Sequence, residues 1–183
     1  MKKIFSNHLF IISIFDKIFS GIALLLLFPL FILISIAIKV SSNGPVLFKQ
    51  KRVGKNLKIF TIYKFRTMFY DTNRFVGEVS ETLSVEELKK IRSSFVTTEK
   101  NDNRITYVGR FLRKSSLDEL PQILNVLNGN MSLVGPRPPL AEEVNQYEKS
   151  ETRRLLVKPG LTGLWQVSGR SELDWEDAVR LDL

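Results

Sequence analysis

The sequence predicts an α+β fold, in which one long apolar helix at the N-terminus is followed by a small domain of short helices and a small β-hairpin. Three observations predict it. Twenty-one uncharged, mostly apolar residues, IFSGIALLLLFPLFILISIAI, lie between Lys17 and Lys39. Val46 to Phe48 and Ile59 to Phe65 read as short strands joined through Val53-Gly54-Lys55-Asn56. From Ser116 onward, apolar residues recur at helical spacing between glycine and proline breaks. The turn material Ser41-Ser42-Asn43-Gly44-Pro45 separates a membrane-inserted segment, 1–40, from a domain over 41–183.

At the rise of an α-helix the apolar stretch is roughly 30 Å long, enough to cross a hydrocarbon core. A secretory signal peptide would have a shorter apolar region followed by a small-x-small cleavage site, and none follows here. Pro29, near the middle, removes a helical hydrogen bond and pushes Phe28 away from helical geometry. Lys2, Lys3 and Lys17 precede the stretch and Lys39 to Arg66 follow it, so charge does not send the N-terminus across a membrane. A helix broken near Pro29, with both ends on the same face, satisfies both facts. Proline is also tolerated in spanning helices, so on these residues alone a straight span stays open.

The net charge of +8 is unevenly spread: from Lys39 to Tyr70 there are eight basic residues and no acidic one. Such a segment expects an anionic surface. Because it abuts the apolar stretch and carries no recognition motif for nucleic acid, lipid headgroups fit and nucleic acid does not. The absence of Cys excludes disulfides, thiolate catalysis and Cys-ligated metals. The single His, His8, lies beside the apolar N-terminus, so an acid, base or nucleophile must come from carboxylates, hydroxyls or lysines.

In the second strand, Lys64 and Arg66 are two residues apart and share a face at about 7 Å spacing. A solvated strand edge or lipid contact accounts for Lys49, Lys51 and Lys55. Ser84-Val85-Glu86-Glu87 reads as a capping box opening a short helix through about Ser93, with solvated carboxylates. Arg104 and Arg110 suit either phosphate binding or plain surface.

Arg113 to Pro139, RKSSLDELPQILNVLNGNMSLVGPRPP, is the most informative stretch. Ser116 with Glu119 three residues on forms a second capping box, which predicts a helix with Asp118 in its first turn. Leu117, Leu120, Leu124 and Leu127 mark its apolar face with Ile123 beside them, and Gly129 is its stop. Pro121 fits where early N–H groups have no intrahelical partner. Two acidic residues in a first turn can simply complement the helix dipole. Their neighbours favour chemistry: Arg113 precedes the turn, and Arg137 is held among Gly135, Pro136, Pro138 and Pro139, a segment unable to be regular helix or central strand. An arginine on so stiff a backbone is placed to receive an anion.

Ala141 to Leu156 then reads as a helix with Val144, Tyr147 and Leu155 inward, ended by a turn at Lys158-Pro159-Gly160. Thr162-Gly163 and Ser168-Gly169-Arg170 punctuate a loop holding Trp165, whose first reading is a buried structural residue.

SSLDELPQILNVLNGNMSLVGPRPP, with KFRTM upstream and KPGLTGLWQVSGR downstream, closely resembles the bacterial sugar transferases, the monotopic phosphoglycosyl transferases, from about Ile14 to the last residue. The resemblance implies a re-entrant membrane helix and a catalytic domain on the cytoplasmic face of the bacterial inner membrane. It implies transfer of a sugar 1-phosphate from a UDP-sugar to polyprenol (undecaprenyl) phosphate, with release of UMP. Asp118 would be the nucleophile, forming an aspartyl-phosphosugar, and Glu119 its partner as metal ligand or proton acceptor. Mg²⁺, or Mn²⁺ in its place, would lie against the pair; Arg113 and Arg137 would hold phosphate oxygens, with Lys64 and Arg66 as secondary candidates. Trp165 would line the nucleotide or membrane side. The product would feed downstream glycosyltransferases, and self-association into a homo-oligomer stays open. Family members usually continue with further membrane-associated residues beyond the position of Leu183, so a C-terminally shortened domain is expected.

Two other classes remain at this stage. A metal-dependent glycosyltransferase would release UDP and usually presents a D-x-D motif, which this sequence lacks. A membrane adaptor would bind anionic lipid and consume no nucleotide sugar. Which sugar is used turns on individual polar groups of the pocket, and galactose, glucose, N-acetylglucosamine and bacillosamine are all open.

Overall fold

The structure, a computed structural model, describes residues 2–70, 102, 104–145, 147–168 and 175–182. Helix α1 spans Lys2–Ser41 and is followed by strands β1 (Leu47–Val53) and β2 (Ile59–Phe65). Helix α2 (Tyr107–Ser115), a 3₁₀ segment (Leu117–Gln122) and α3 (Ile123–Leu127) come next. The chain continues through β3 (Ser132–Val134), α4 (Ala141–Val144), a 3₁₀ segment (Glu151–Leu156), β4 (Gly160–Thr162), α5 (Leu164–Val167) and α6 (Trp175–Asp182). The mixed helix and sheet class and the long apolar N-terminal helix match expectation; the capping box at Ser84 falls outside the described residues.

Helical structure in α1 runs without interruption through Pro29, so the break expected there is absent. A proline forfeits its own N–H bond and its ring crowds the carbonyl four residues back, which bends a helix, while apolar surroundings favour retaining the remaining backbone bonds. At about 1.5 Å per residue, 40 residues extend to about 60 Å, twice a hydrocarbon core.

One stripe of α1 is packed against the rest of the chain. Ile34 and Ile38 form a core with Phe65 and Leu112, joined by Leu30, Phe31, Leu117 and Leu120. Nearer the N-terminus, Asp16, only 5% exposed, accepts from the Ser132 hydroxyl at 2.6 Å and from the Leu133 N–H at 3.3 Å. Lys158 donates to Ser13 at 3.3 Å. The opposite stripe, including Phe15, Ile22, Leu25, Leu26, Leu33 and Val40, is exposed apolar surface.

The expected hairpin forms: β1 and β2 pair antiparallel from Leu47↔Phe65 to Val53↔Ile59. Its turn is a short 3₁₀ segment, Lys55–Leu57, with Asn56 and Leu57 at positive φ. A second pairing is not apparent in the sequence. β3 and β4 run parallel, Ser132↔Gly160 and Val134↔Thr162, so Lys158-Pro159-Gly160 leads into a strand. Beneath both sheets, Ile62, Val126 and Met131 make a second core. Asn125 locks α3 to β2, donating to the Thr61 carbonyl at 2.7 Å and accepting from the Tyr63 N–H at 3.2 Å.

The single helix expected over Ala141 to Leu156 is instead α4 and a separate 3₁₀ segment. Glu151 takes the Glu148 N–H at 2.7 Å, in place of a helical carbonyl, and Arg154 lies over the Tyr147 ring at 5.8 Å. These local side-chain contacts outweigh helical propensity.

Candidate active site

Two turns bring the carboxylate pair to the mouth of the hairpin. Thr106 caps α2 by accepting from the Gly109 N–H at 2.9 Å, and Gly109 sits so close to the Thr67 backbone that a Cβ would collide with it. Helix α2 ends at Ser116, which is left-handed (φ 57°) and makes no side-chain cap bond. The capping box expected at Ser116 and Glu119 is therefore not formed. Pro121 has no N–H to donate, the segment tightens to 3₁₀, and the Glu119 carboxylate goes elsewhere.

It goes to Lys64, whose ammonium donates to Glu119 Oε1 at 2.6 Å. Arg113, in the last turn of α2, donates through Nε to the Thr67 hydroxyl at 2.9 Å. Between these cations, burial holds the Asp118 carboxyl above its ordinary pKa; Lys64 and Arg113 pull it down, and Glu119 pushes it up. Asp118 is thus a partly desolvated carboxylate flanked by two positive charges.

A cavity of about 980 Å³ opens over this group. Asp118, Glu119, Lys64, Arg66, Arg113 and Arg137, all singled out in the sequence, line it. Arg66 lines it while serving the scaffold: its guanidinium donates to the carbonyls of Ser42 and Asn43, tying the end of β2 to the end of α1. Trp165 is both buried, as expected of a structural tryptophan, and part of the cavity wall.

Arg137 is carried on an irregular loop, as the prolines require, and that loop is bonded on both sides. Val53 N–H donates to Pro139 at 2.9 Å, Gly160 N–H to Pro136 at 2.8 Å, and Gly135 N–H to Thr162 at 2.9 Å. The Arg137 guanidinium pairs with Glu143 at 3.3 Å. The Asp182 carboxylate, in a buried ion pair with Arg154, accepts from the Arg137 backbone N–H.

Sequence reasoning missed Arg52. It is 8% exposed, donates to Gln50 at 2.8 Å and to the Pro138 carbonyl at 3.2 Å, and lines the same cavity. Burial and the charge of Arg137 push its pKa down to about 10. Two guanidiniums that repel one another across a cavity wall are relieved by an anion bound beside them. Strand alternation puts Arg52 on the face opposite Lys49 and Lys51, a signal lost when the first strand is taken to end at Phe48, whereas β1 runs on to Val53. Its carbonyl partner lies 86 residues away.

Among the described residues, no group of three or more His, Cys, Asp or Glu could hold a metal. Adjacent Asp118 and Glu119 nevertheless suit a magnesium-type ion, which takes one or two carboxylates from the protein and its other ligands from phosphate oxygens and water.

A long helix with one apolar face bare is packed on a domain whose cavity sets a carboxylate pair among cations, and that build suits a membrane-associated protein. The chain belongs to the bacterial sugar transferase family, whose sequence pattern matches residues 7–183. It is 42% identical over 168 residues to the undecaprenyl-phosphate galactose phosphotransferase of Salmonella typhimurium, covering 92% of this chain and 34% of that protein. Identity is 40% over 170 residues with the exopolysaccharide production protein ExoY of Sinorhizobium fredii, covering 92% of this chain and 73% of ExoY. With the UDP-glucose:undecaprenyl-phosphate glucose-1-phosphate transferase of Xanthomonas campestris pv. campestris it is 45% over 157 residues, 84% of this chain and 29% of the relative. The chain thus spans about a third of the Salmonella and Xanthomonas proteins and about three quarters of ExoY.

Proposed function

We propose that the protein is a phosphoglycosyl transferase, moving a sugar 1-phosphate from a UDP-sugar to a polyprenol phosphate such as undecaprenyl phosphate, at the start of lipid-linked polysaccharide assembly. The observation that carries this reading is Asp118 itself, a desolvated carboxylate between Lys64 and Arg113 in a cavity that also holds Arg52 and Arg137. With no Cys in the chain and its one His, His8, not among the residues that line the cavity, a carboxylate is the natural nucleophile.

An Asp118 oxygen attacks the phosphorus that bears the sugar, and the bond from that phosphorus to the UMP oxygen breaks. UMP leaves with the electron pair. A phosphate oxygen of the polyprenol phosphate then attacks the same phosphorus, the bond to Asp118 breaks, and the free carboxylate returns with a polyprenol diphosphate sugar. Lys64 and Arg113 offset the repulsion between carboxylate and diphosphate. Arg52 and Arg137 hold the remaining phosphate oxygens. Glu119, held in place by Lys64, would hold Mg²⁺ together with Asp118. When bound, that ion would supply further neutralisation of phosphate charge.

The same proposal seats α1 as a re-entrant element in the inner membrane, turning back through a bend at Pro29 that keeps helical structure on both sides, with the domain on the cytoplasmic face. Support comes from its contacts: Ser13 and Asp16 near one end and Ile38 near the other all rest on the same domain. A bare spanning helix would carry one end away from it. A tag before Met1 found accessible from the outer face of sealed, oriented membranes would sink this arrangement.

The transferase reading is tested by incubating purified full-length protein and Mg²⁺ with a panel of UDP-sugars, with and without polyprenol phosphate. Lipid-dependent UMP from one donor, absent with Asp118→Asn, is expected. UDP in place of UMP would mean transfer of the sugar alone, and no nucleotide from folded protein would leave a lipid-binding adaptor.

A further inference from the structure

The cavity over Asp118 has an apolar wall as well as a charged one. Pro45, Phe48, Met68, Phe69 and Tyr70 line it alongside Lys64 and Arg113. Phe69 and Tyr70 are 50% and 48% exposed, and neither ring belongs to a core. Their backbone is fixed all the same, since the Phe69 N–H donates to the Arg104 carbonyl at 2.9 Å and Met68 bridges to Ile105. One end of this wall meets the carboxylate pair. Phe48 stands opposite Lys64 across the hairpin, Lys64 bonds Glu119, and the Thr67 hydroxyl takes Arg113. The other end meets the exit from α1. Gly44, at φ 119°, lies so close to Tyr70 that a Cβ there would collide with its side chain, and Arg66 ties Ser42 and Asn43 to the end of β2. Helix α1 ends just before, at Ser41, and Val40 is among its bare apolar residues.

We propose that Phe69 and Tyr70 form a subsite for the lipid acceptor, gripping the first isoprene units of the polyprenol chain while its phosphate reaches Asp118. This rests on the transferase reading. A polyprenol chain leaves a bilayer only where another apolar surface takes the place of the lipid. Its phosphate must still enter a cavity lined by Lys64, Arg113, Arg52 and Arg137. The path between membrane and cations therefore has to be apolar, and the wall from Tyr70 to Phe48 is. The diphosphate and sugar of the donor call instead for charges and hydrogen-bonding groups. A uracil ring stacks on aromatic side chains too, and position separates the two ligands. A water-soluble donor has no reason to bind where the chain leaves the membrane helix, whereas the acceptor arrives from there.

The test compares wild-type protein with the double variants Phe69→Ser/Tyr70→Ser and Phe69→Leu/Tyr70→Leu. UMP release is measured against undecaprenyl phosphate in mixed micelles of fixed detergent ratio, binding of free UDP by calorimetry, and thermal unfolding in the same detergent. Expected for the Ser pair is a rise of about tenfold in the KM for undecaprenyl phosphate, which corresponds to the burial of about two methylene groups. The KM for the UDP-sugar and the affinity for UDP stay within about twofold of wild type, and the Leu pair recovers most of the acceptor KM. An unchanged acceptor KM in the Ser pair overturns the assignment. So does a matching loss of UDP affinity, which would make the rings a nucleotide contact. If the Ser pair fails to fold, wild-type protein is labelled with a polyprenyl phosphate carrying a photoreactive group on its first isoprene unit. Label mapped to Phe69 or Tyr70 by mass spectrometry is then expected, and label confined to other residues overturns the assignment. Absence of UMP from wild type with every donor would instead remove the transferase reading, and the acceptor subsite with it.

Discussion

Lys64 donates to Glu119, at 2.6 Å, and leaves its neighbour Asp118 under the influence of its charge alone. One ammonium therefore does two things: it fixes the orientation of one carboxylate and keeps the other easier to ionise. Burial acts the opposite way on Asp118, and is the larger effect. In Lys64→Met the opposing charge is gone, so the Asp118 pKa rises further and the acid limb of the kcat/KM profile moves to higher pH. Rates recovered at high pH, with the limb displaced upward, are the expected result. A uniform fall with the limb unmoved would separate Lys64 from the ionisation of Asp118.

Asp118 also makes a prediction about stability. Its folded pKa is raised, so the folded state binds the proton more tightly than the unfolded chain. Its stabilising contribution is complete below the unfolded carboxylate pKa and is lost as pH rises through the folded value. At neutral pH the charged group is a liability to folding. Asp118→Asn, without turnover, should then unfold at a higher temperature than wild type at pH 7.5. That margin should shrink as pH is lowered toward the ordinary carboxylate range, which scanning calorimetry over pH would reveal.

Local pattern made part of this site readable. Leu117 and Leu120 meet the α1 core as their spacing suggests, and Lys64 and Arg66 do face the cavity together. Their partners were not readable, since Lys64 bonds a residue 55 positions ahead and Arg66 a carbonyl 24 positions back. Ser116 looked like an N-cap by composition. The left-handed turn it adopts depends on how α2 is seated against Thr67, which no local rule encodes. The β3–β4 pair escaped notice because three residues on each strand carry no period, and their parallel pairing joins Ser132 to Gly160 across the whole Arg137 loop.

Asp16 tests the attachment of α1. Its carboxylate is the acceptor for the Ser132 hydroxyl and the Leu133 N–H, at the start of the strand that leads to Arg137. Asp16→Ala leaves both donors unpaired, at about 1–3 kcal/mol each. Asp16→Asn, which retains an acceptor oxygen, should lose less. Thermal unfolding in detergent should order the three proteins as wild type, Asn, Ala, and an Ala variant as stable as wild type would show that water replaces the carboxylate.

The Arg154–Asp182 pair anchors the other side of the Arg137 loop, with the two side chains 6% and 2% exposed. Removing one member strands a buried charge, and Asp182→Ala should cost about 3–5 kcal/mol. It should also raise the KM for the donor more than it lowers kcat, because the Arg137 backbone N–H loses its acceptor while Asp118 is untouched. The paired change Arg154→Met with Asp182→Leu removes both charges and should recover much of the stability, since apolar groups of similar volume replace buried ion pairs at little cost. It cannot restore the acceptor for Arg137, so the raised KM should persist in the double variant even as Tm returns. Recovery of Tm and KM together would mean that Asp182 holds α6 in place but does not position Arg137.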